Sequence, residues 1–133
     1  MTHSVIQRPC NGLSEACACN IVFPADNNTK SYANGDIKLI HLNTHGEPAG
    51  GASHLLVAFH QHGSHICVLI SYGDGSGPSF GNIDLTAAHS QYDPASGLEV
   101  SMPVSVFDGN DFEQKTLVIV VNQQTGTITT SLG

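Results

Sequence analysis

Apolar residues in this chain occur only in short runs, and this spacing constrains the fold more than any other feature. The longest runs have five residues each, at positions 55–59, 66–70 and 117–121. Clusters rich in Gly, Pro, Asn or Asp separate the runs, and apolar patterns with a helical period are almost absent. Short strands joined by turns produce this pattern. We therefore predict an all-β fold, either a small antiparallel β-sandwich or a partly open barrel, with about eight short strands.

Two segments give the clearest strand signals. Residues 98–107 alternate, and one side of the predicted strand carries Leu98, Val100, Met102, Val104 and Val106. Pro103 has no amide hydrogen, so we expect this strand to lie at an edge or to contain a bulge. Residues 116–122 are apolar on both faces, which predicts a central strand. Further strands are predicted at 19–23, 37–43, 54–60, 65–72, 80–86 and 127–132, one helical turn at 13–18, and irregular backbone at 26–32 and 88–96.

The length of 133 residues favours one domain covering 1–133, with residues 1–18 as an N-terminal arm. Five-residue apolar runs are far too short to cross a bilayer, so no transmembrane segment is expected. The first nine residues lack the basic start and apolar stretch of a secretory signal. A cytoplasmic location is the default expectation, and an extracellular location after processing stays open.

The charge balance excludes some partners. Four basic residues face eleven acidic ones, giving a formal charge of −7, and only 11% of residues are charged. Nucleic-acid binding depends on Lys and Arg neutralising phosphates, so we expect no nucleic-acid partner. An anionic membrane surface would repel the chain for the same reason. A protein or glycan partner and a homo-oligomer remain open.

The densest chemical feature is a cluster of histidines between two predicted strands. The core faces of 54–60 and 65–72 carry the odd and the even positions respectively, which leaves His60 and His65 on the outer face. A four-residue loop, 61–64, would place these two residues directly opposite each other, about 5 Å apart between Cβ atoms. His62 lies in the loop, and Cys67 shares the outer face. Imidazole and thiolate ligands favour zinc, so His60, His62, His65 and Cys67 form a candidate metal site.

Two other interpretations of the cluster remain open. The histidines are ordinary surface residues of a polar turn, or they sense pH through protonation. The spacing His60-x-His62-x-x-His65 is similar to a histidine pattern of the metallo-β-lactamase superfamily, but Ser64 stands where that family has Asp. We therefore do not assign the chain to that family.

Four cysteines are present, at Cys10, Cys17, Cys19 and Cys67. Free thiols of a reducing compartment, or buried small apolar residues, are the expected state. The alternative, for an exported protein, is a disulfide between the N-terminal segment and Cys67.

A second candidate metal site lies in an acidic loop that contains Asp108, Asn110, Asp111 and Glu113. Oxygen-rich loops of this kind bind calcium, although an acidic β-turn explains the same residues. No motif for nucleophilic catalysis accompanies either site. The sequence favours a non-enzymatic binding or assembly module, which is lectin-like, toxin-like or a structural interaction protein. The alternative is a metal-binding protein or metal-dependent enzyme that uses the histidine cluster.

Overall fold

A computed structural model describes residues 4–44, 51–73, 79–107 and 110–133. Within these ranges the chain forms strands and single 3-10 turns, and no α-helix. The strands are β1 (Ser4–Pro9), β2 (Thr29–Tyr32), β3 (Ile37–Asn43), β4 (Ser53–Gln61), β5 (Ser64–Gly73), β6 (Asn82–Ile83), β7 (His89–Asp93), β8 (Gly97–Phe107), β9 (Phe112–Asn122) and β10 (Thr127–Leu132). The 3-10 turns span Ser14–Ala16, Ala18–Asn20, Ala25–Asn27, Ala33–Gly35 and Leu85–Ala87. None of the described helical segments is long and apolar enough to cross a membrane.

The strands form two antiparallel sheets, which confirms the predicted β-sandwich. The first sheet has the order β1-β5-β4-β3-β2. The second has the order β10-β9-β8-β6, and β7 also pairs with β8. Neighbours in sequence are mostly neighbours in space, because hairpins join β3 to β4, β4 to β5, β7 to β8, β8 to β9 and β9 to β10.

The core lies between the inner faces of the two sheets. Leu39, Val57 and Ile70 of the first sheet are fully buried. Val100 and Ile119 of the second sheet are equally buried and belong to the same apolar cluster. Full burial of one such side chain stabilises the fold by about 1.5–3 kcal/mol relative to exposure. The alternation predicted for 98–107 is confirmed, because all five of its apolar positions are buried.

Pro103 lies in an interior strand, so the edge position predicted for it is wrong. Its carbonyl accepts a hydrogen bond from the Asp84 amide, so the backbone of Pro103 faces β6 and β7. On that side, β7 pairs with residues 97–101 of β8 and β6 pairs with residues 104 and 105. Pro103 therefore lies at the gap between β6 and β7, where neither strand has a carbonyl that would accept a hydrogen bond from residue 103.

Four other local predictions differ from the structure. The strand predicted at 80–86 is only β6 (Asn82–Ile83), and Leu85–Ala87 forms a 3-10 turn. Residues 19–23 form no strand, because the turn Ala18–Asn20 is followed only by an isolated bridge from Ile21 to Leu42. The segment 26–32 contains strand β2, and 88–96 contains β7. Residues in β7 are exposed on both faces, so backbone pairing with β8 forms the strand without any apolar alternation.

Residues 10–21 form a strap across the outer face of the first sheet. A disulfide joins Cys10 to Cys67 on β5, and the bridge from Ile21 to Leu42 fixes the other end. Between these points, the turn Ser14–Ala16 contacts β3. Outer-face residues beneath the strap are buried, namely Leu42, His54, Leu69 and Ser71. This half of the outer face is therefore a second, smaller interior.

Candidate functional site

The histidine hairpin has the predicted pairing but a tighter turn. His60 lies opposite His65, as expected, and Gln61 also pairs with Ser64. The loop therefore contains only His62 and Gly63, which both have positive φ, at 49° and 82°. Two-residue hairpin loops with positive φ at both positions match the twist of the flanking strands. Glycine adopts a positive φ without steric strain, so Gly63 suits this turn. His62 also has a positive φ, which is uncommon for a residue with a side chain.

His60 and His65 are in contact on the outer face. Their ring centroids are 4.3 Å apart and the ring planes lie at 78° to each other. The Asp36 carboxylate lies near them, with Oδ1 3.9 Å from His60 Nδ1. His60 and Asp36 are each about half exposed, so solvent screens their interaction and its contribution to stability is small.

The tip of the hairpin is tied to the turn that joins β9 to β10. Gln123 Nε2 donates to the His60 carbonyl at 2.9 Å, and Gln61 Nε2 donates to the Gln124 carbonyl at 3.2 Å. A Cβ atom added at Gly126 would displace the Gln61 amide, and the φ of 73° at this position favours glycine. Hydrogen bonds to the β9–β10 turn therefore hold in place the hairpin end that carries the His60 and His65 imidazoles.

Cys67 does not provide a free thiol, because all four cysteines are paired in disulfides. Cys67 pairs with Cys10, with Cα atoms 5.4 Å apart, and Cys17 pairs with Cys19. The expectation of free thiols is wrong, and the alternative of a disulfide from the N-terminal segment to Cys67 is confirmed. Across the described ranges, no group of three or more His, Cys, Asp and Glu side chains is arranged to hold a metal ion.

The acidic loop is only partly within the described residues. Asp108 lies outside them, while Asn110, Asp111 and Glu113 are exposed. A carboxylate oxygen of Glu113 lies 3.8 Å from Lys115 Nζ, which gives that carboxylate a cationic neighbour. The predicted calcium site stays a prediction.

Two separate groups of buried polar residues were not predicted from the sequence, and the first surrounds His41 on β3. This imidazole is 3% exposed. Its Nε2 lies 2.8 Å from Ser53 Oγ, and its Nδ1 lies 3.2 Å from Asn28 Oδ1. Burial, with a smaller effect of the nearby His54, lowers the pKa of His41 from 6.5 to about 4. His41 shares its parity with Ile37 and Leu39, and this signal places it on the core face.

The second group is a polar network that lies beneath the strap. His54 Nδ1 is 2.6 Å from Ser71 Oγ, and Arg8 also donates to that oxygen at 3.4 Å. The Arg8 guanidinium reaches Glu15 on the strap, at 3.4 Å. Burial lowers the pKa of His54, while the charge of Glu15 opposes this shift. The network therefore links β1, β4, β5 and the strap.

This Ser, His and Glu combination resembles the residue types of a nucleophilic site, but its burial argues for a structural role. Ser71 and His54 are each 2% exposed, so a substrate would have to displace the strap to reach them. Arg8 also contacts Ser71, and a cation there opposes the protonated imidazolium that a general base must become. We interpret the network as the polar attachment of the strap.

Four large hydrophobic side chains are exposed on the described surface, and two of them touch. Phe107 ends β8 and Phe112 begins β9, with exposures of 49% and 55%. Their ring centroids lie 5.2 Å apart, within the range of favourable aromatic pairs. Phe23 and Tyr92 are exposed separately. We call Phe107 and Phe112 the aromatic pair.

An open groove of about 450 Å³ lies between β1 and β10, where the sandwich edges approach each other. Tyr72, Lys115 and Thr130 contribute to its lining. Its chemistry is mixed, since a cation, hydroxyls and apolar side chains all contribute.

The comparisons with known proteins identify no relative, because no protein-family model, curated protein or solved structure matches the chain.

Proposed function

We propose that this protein is a non-enzymatic β-sandwich binding module, whose partner is a protein or a glycan. The aromatic pair is the observation that carries this proposal. Two neighbouring rings at the end of a hairpin present a rigid apolar surface to solvent. Aromatic side chains are enriched among the residues that contribute most to binding, because they bury a large area with little loss of conformational freedom.

The surroundings of the aromatic pair suit an interface. Asn110 and Asp111 precede Phe112 in the chain and are exposed, so polar residues lie next to the apolar centre. Rings also stack on the apolar faces of sugars, and the amide and carboxylate oxygens can accept hydrogen bonds from sugar hydroxyls. A lectin-like, toxin-like or structural interaction protein would each use such a surface.

The test compares the wild type with the double variant Phe107→Ser/Phe112→Ser. Glycan arrays and selection from a displayed peptide library identify ligands, and calorimetry measures the affinity for the best ones. We expect the double variant to lose at least about tenfold in affinity, which corresponds to about 1.4 kcal/mol. Phe23→Ser is the matched control because Phe23 is 84% exposed and lies elsewhere. Equal loss in both variants, or no ligand from either screen, would contradict the proposal.

A second candidate function is metal binding at the hairpin tip. It is favoured by the contact of the His60 and His65 rings. The two imidazoles are ligands that zinc accepts, and since no third described side chain completes a site with them, water or a second molecule would supply the remaining ligands. Elemental analysis of protein purified without a histidine tag, and calorimetric titration with zinc, provide the test. Stoichiometric binding that disappears in His60→Ala/His65→Ala, with His89→Ala as control, supports this function, and unchanged titrations exclude it.

A further inference from the structure

Strand β7 is an open edge of the second sheet. All five of its residues, His89–Asp93, are exposed. It pairs with β8 on one side, and no strand of the described residues pairs with its other side. Open edges present unpaired backbone groups to solvent, which favours pairing with another chain.

The pairing of β8 shows which backbone groups of β7 face outward. Amide hydrogens of Gly81 and Asp84 reach the carbonyls of Ser105 and Pro103, so the odd-numbered residues of β8 face β6 and β7. Their partners in β7 are His89, Gln91 and Asp93, opposite Ser101, Glu99 and Gly97. In an antiparallel strand, successive residues point their backbone groups to opposite neighbours. The free edge is therefore formed by the N–H and C=O groups of Ser90 and Tyr92.

We propose that β7 pairs antiparallel with β7 of a second copy of this chain, around a two-fold axis at Gln91. In this register, Ser90 exchanges hydrogen bonds with Tyr92 of the second copy, and the reverse pair does the same. The second sheets of two copies then join into one continuous sheet. This inference is independent of the proposed function, because Tyr92 pairs near one end of β8 and Phe107 forms the other end.

The side chains of β7 complement one another in this register. His89 lies opposite Asp93 of the second copy, and this favourable pair occurs twice. An imidazole N–H donates to a carboxylate whether the ring is neutral or protonated. Asp93 Oδ1 already accepts from the Ala95 amide at 2.8 Å, which leaves Oδ2 for the histidine. Opposite pairs of this kind stabilise cross-strand contacts, and like charges destabilise them.

The other edges of the sandwich suit self-pairing less well. The outward groups of β2 belong to Thr29 and Ser31, since the Asn28 carbonyl faces His41 on β3. A register that joins Thr29 to Ser31 of a second copy places Lys30 opposite itself. At the other side of the sandwich, Gln7 Nε2 of β1 donates a hydrogen bond to the Ile128 carbonyl of β10 at 2.9 Å, so this acceptor on the β10 edge already has a partner. Among these edges of the described residues, the one at β7 is both open and self-complementary.

A cysteine at the proposed axis tests the register directly. Gln91 and its copy would form a non-hydrogen-bonded pair, with Cα atoms about 4.5 Å apart, which a disulfide can bridge. We expect Gln91→Cys to form a covalent dimer under mild oxidation at least about tenfold faster than Lys30→Cys, at the corresponding axis position of the β2 edge. The native cysteines are all in disulfides and do not compete. Equal rates for the two variants would overturn the proposal.

Sedimentation equilibrium from about 1 μM to 1 mM, a range that covers weak interfaces, measures the association itself. Ser90→Pro removes an outward amide hydrogen without breaking the ladder to β8, and we expect it to abolish dimerisation, whereas Ser31→Pro leaves it intact. His89→Glu creates two like-charge pairs and should weaken dimerisation at least about tenfold, while His89→Lys retains it.

A wild type that is monomeric throughout contradicts this inference. Ligand binding that still depends on the aromatic pair would then leave the proposed function standing.

Discussion

His41 and His54 lie on adjacent strands and point to opposite faces of the first sheet, yet solvent reaches almost none of either imidazole. Their exposures are 3% and 2%. His41 faces the core between the sheets, and His54 faces the layer beneath the strap. One sheet therefore holds a buried titratable group on each side, and from this arrangement we expect the fold to be sensitive to acid.

Acid should destabilise this protein in a defined pH range. The pKa of His41 is about 4 in the folded chain and 6.5 without burial, so the unfolded chain takes up the proton first. The contribution to stability is complete above pH 6.5 and is lost as the pH falls towards 4. This loss amounts to about 3 kcal/mol for His41. His54, whose pKa is also lowered, acts in the same direction.

Denaturant unfolding at a series of pH values checks this prediction. His41→Gln removes the titration while keeping an amide that can bond to Ser53, so its free energy of unfolding should vary less between pH 6.5 and 4. His89→Gln, at an exposed position, is the control and should follow the wild type. A wild type whose stability stays constant through this range would show that buried histidines do not control it.

Loss of the Cys10–Cys67 disulfide should destabilise the fold strongly. The bond closes a loop with a sequence separation of 57. A cross-link that closes a loop of that size lowers the entropy of the unfolded chain, and this stabilises the fold by about 4 kcal/mol. Cys10→Ser/Cys67→Ser should therefore unfold at much lower denaturant concentration than Cys17→Ser/Cys19→Ser, whose bond has a separation of only 2. Similar midpoints for the two variants would contradict this expectation.

Substitution of Gly97 should cost more than substitution of Gly12. Both residues have positive φ, at 108° and 79°, but only Gly97 is crowded. A Cβ atom at Gly97 would collide with the carbonyl oxygen of Val121 on the neighbouring strand, while nothing lies within 4 Å at Gly12. We expect Gly97→Ala to lower the free energy of unfolding by more than about 2 kcal/mol, and Gly12→Ala by about 1 kcal/mol. Urea unfolding of both variants measures the difference, and equal losses would refute the crowding argument.

The turn at His62 offers a stabilising substitution. Its φ of 49° is one that Asn adopts readily and a β-branched residue adopts poorly. His62→Asn should raise the melting temperature slightly, and His62→Val should lower it by an amount equivalent to about 1–2 kcal/mol. The same two substitutions at His65, which is exposed and lies outside the turn, are the control. If Asn were again more stable than Val there, the positive φ of the turn would not explain the difference.

The sequence predicted the sandwich because apolar alternation reports directly on which face of a strand is buried. Strand β3 and strand β10 were predicted with their observed bounds, since turn residues flank both. Strand β7 was missed because it buries neither face, and its pairing with β8 leaves no trace in hydrophobicity. The shorter loop at His62 was missed because a histidine with positive φ is uncommon.

The candidate site was predicted unevenly for similar reasons. The pairing of His60 with His65 follows from parity and from the apolar faces on either side. The burial of His54 could not be predicted in this way, because it depends on the strap that covers the sheet. A disulfide between residues far apart in sequence holds the strap there. Spacing alone does not specify which cysteines pair.

The gap at Pro103 has a consequence for local unfolding. Strands β6 and β7 lie beside β8 on either side of a position that supplies no amide hydrogen, so the two strands are not continuous with each other. We therefore expect each strand to detach from β8 without the other. Amide hydrogen exchange along this edge should therefore report two separate opening reactions, with β7, which buries no side chain, opening at the lower free energy.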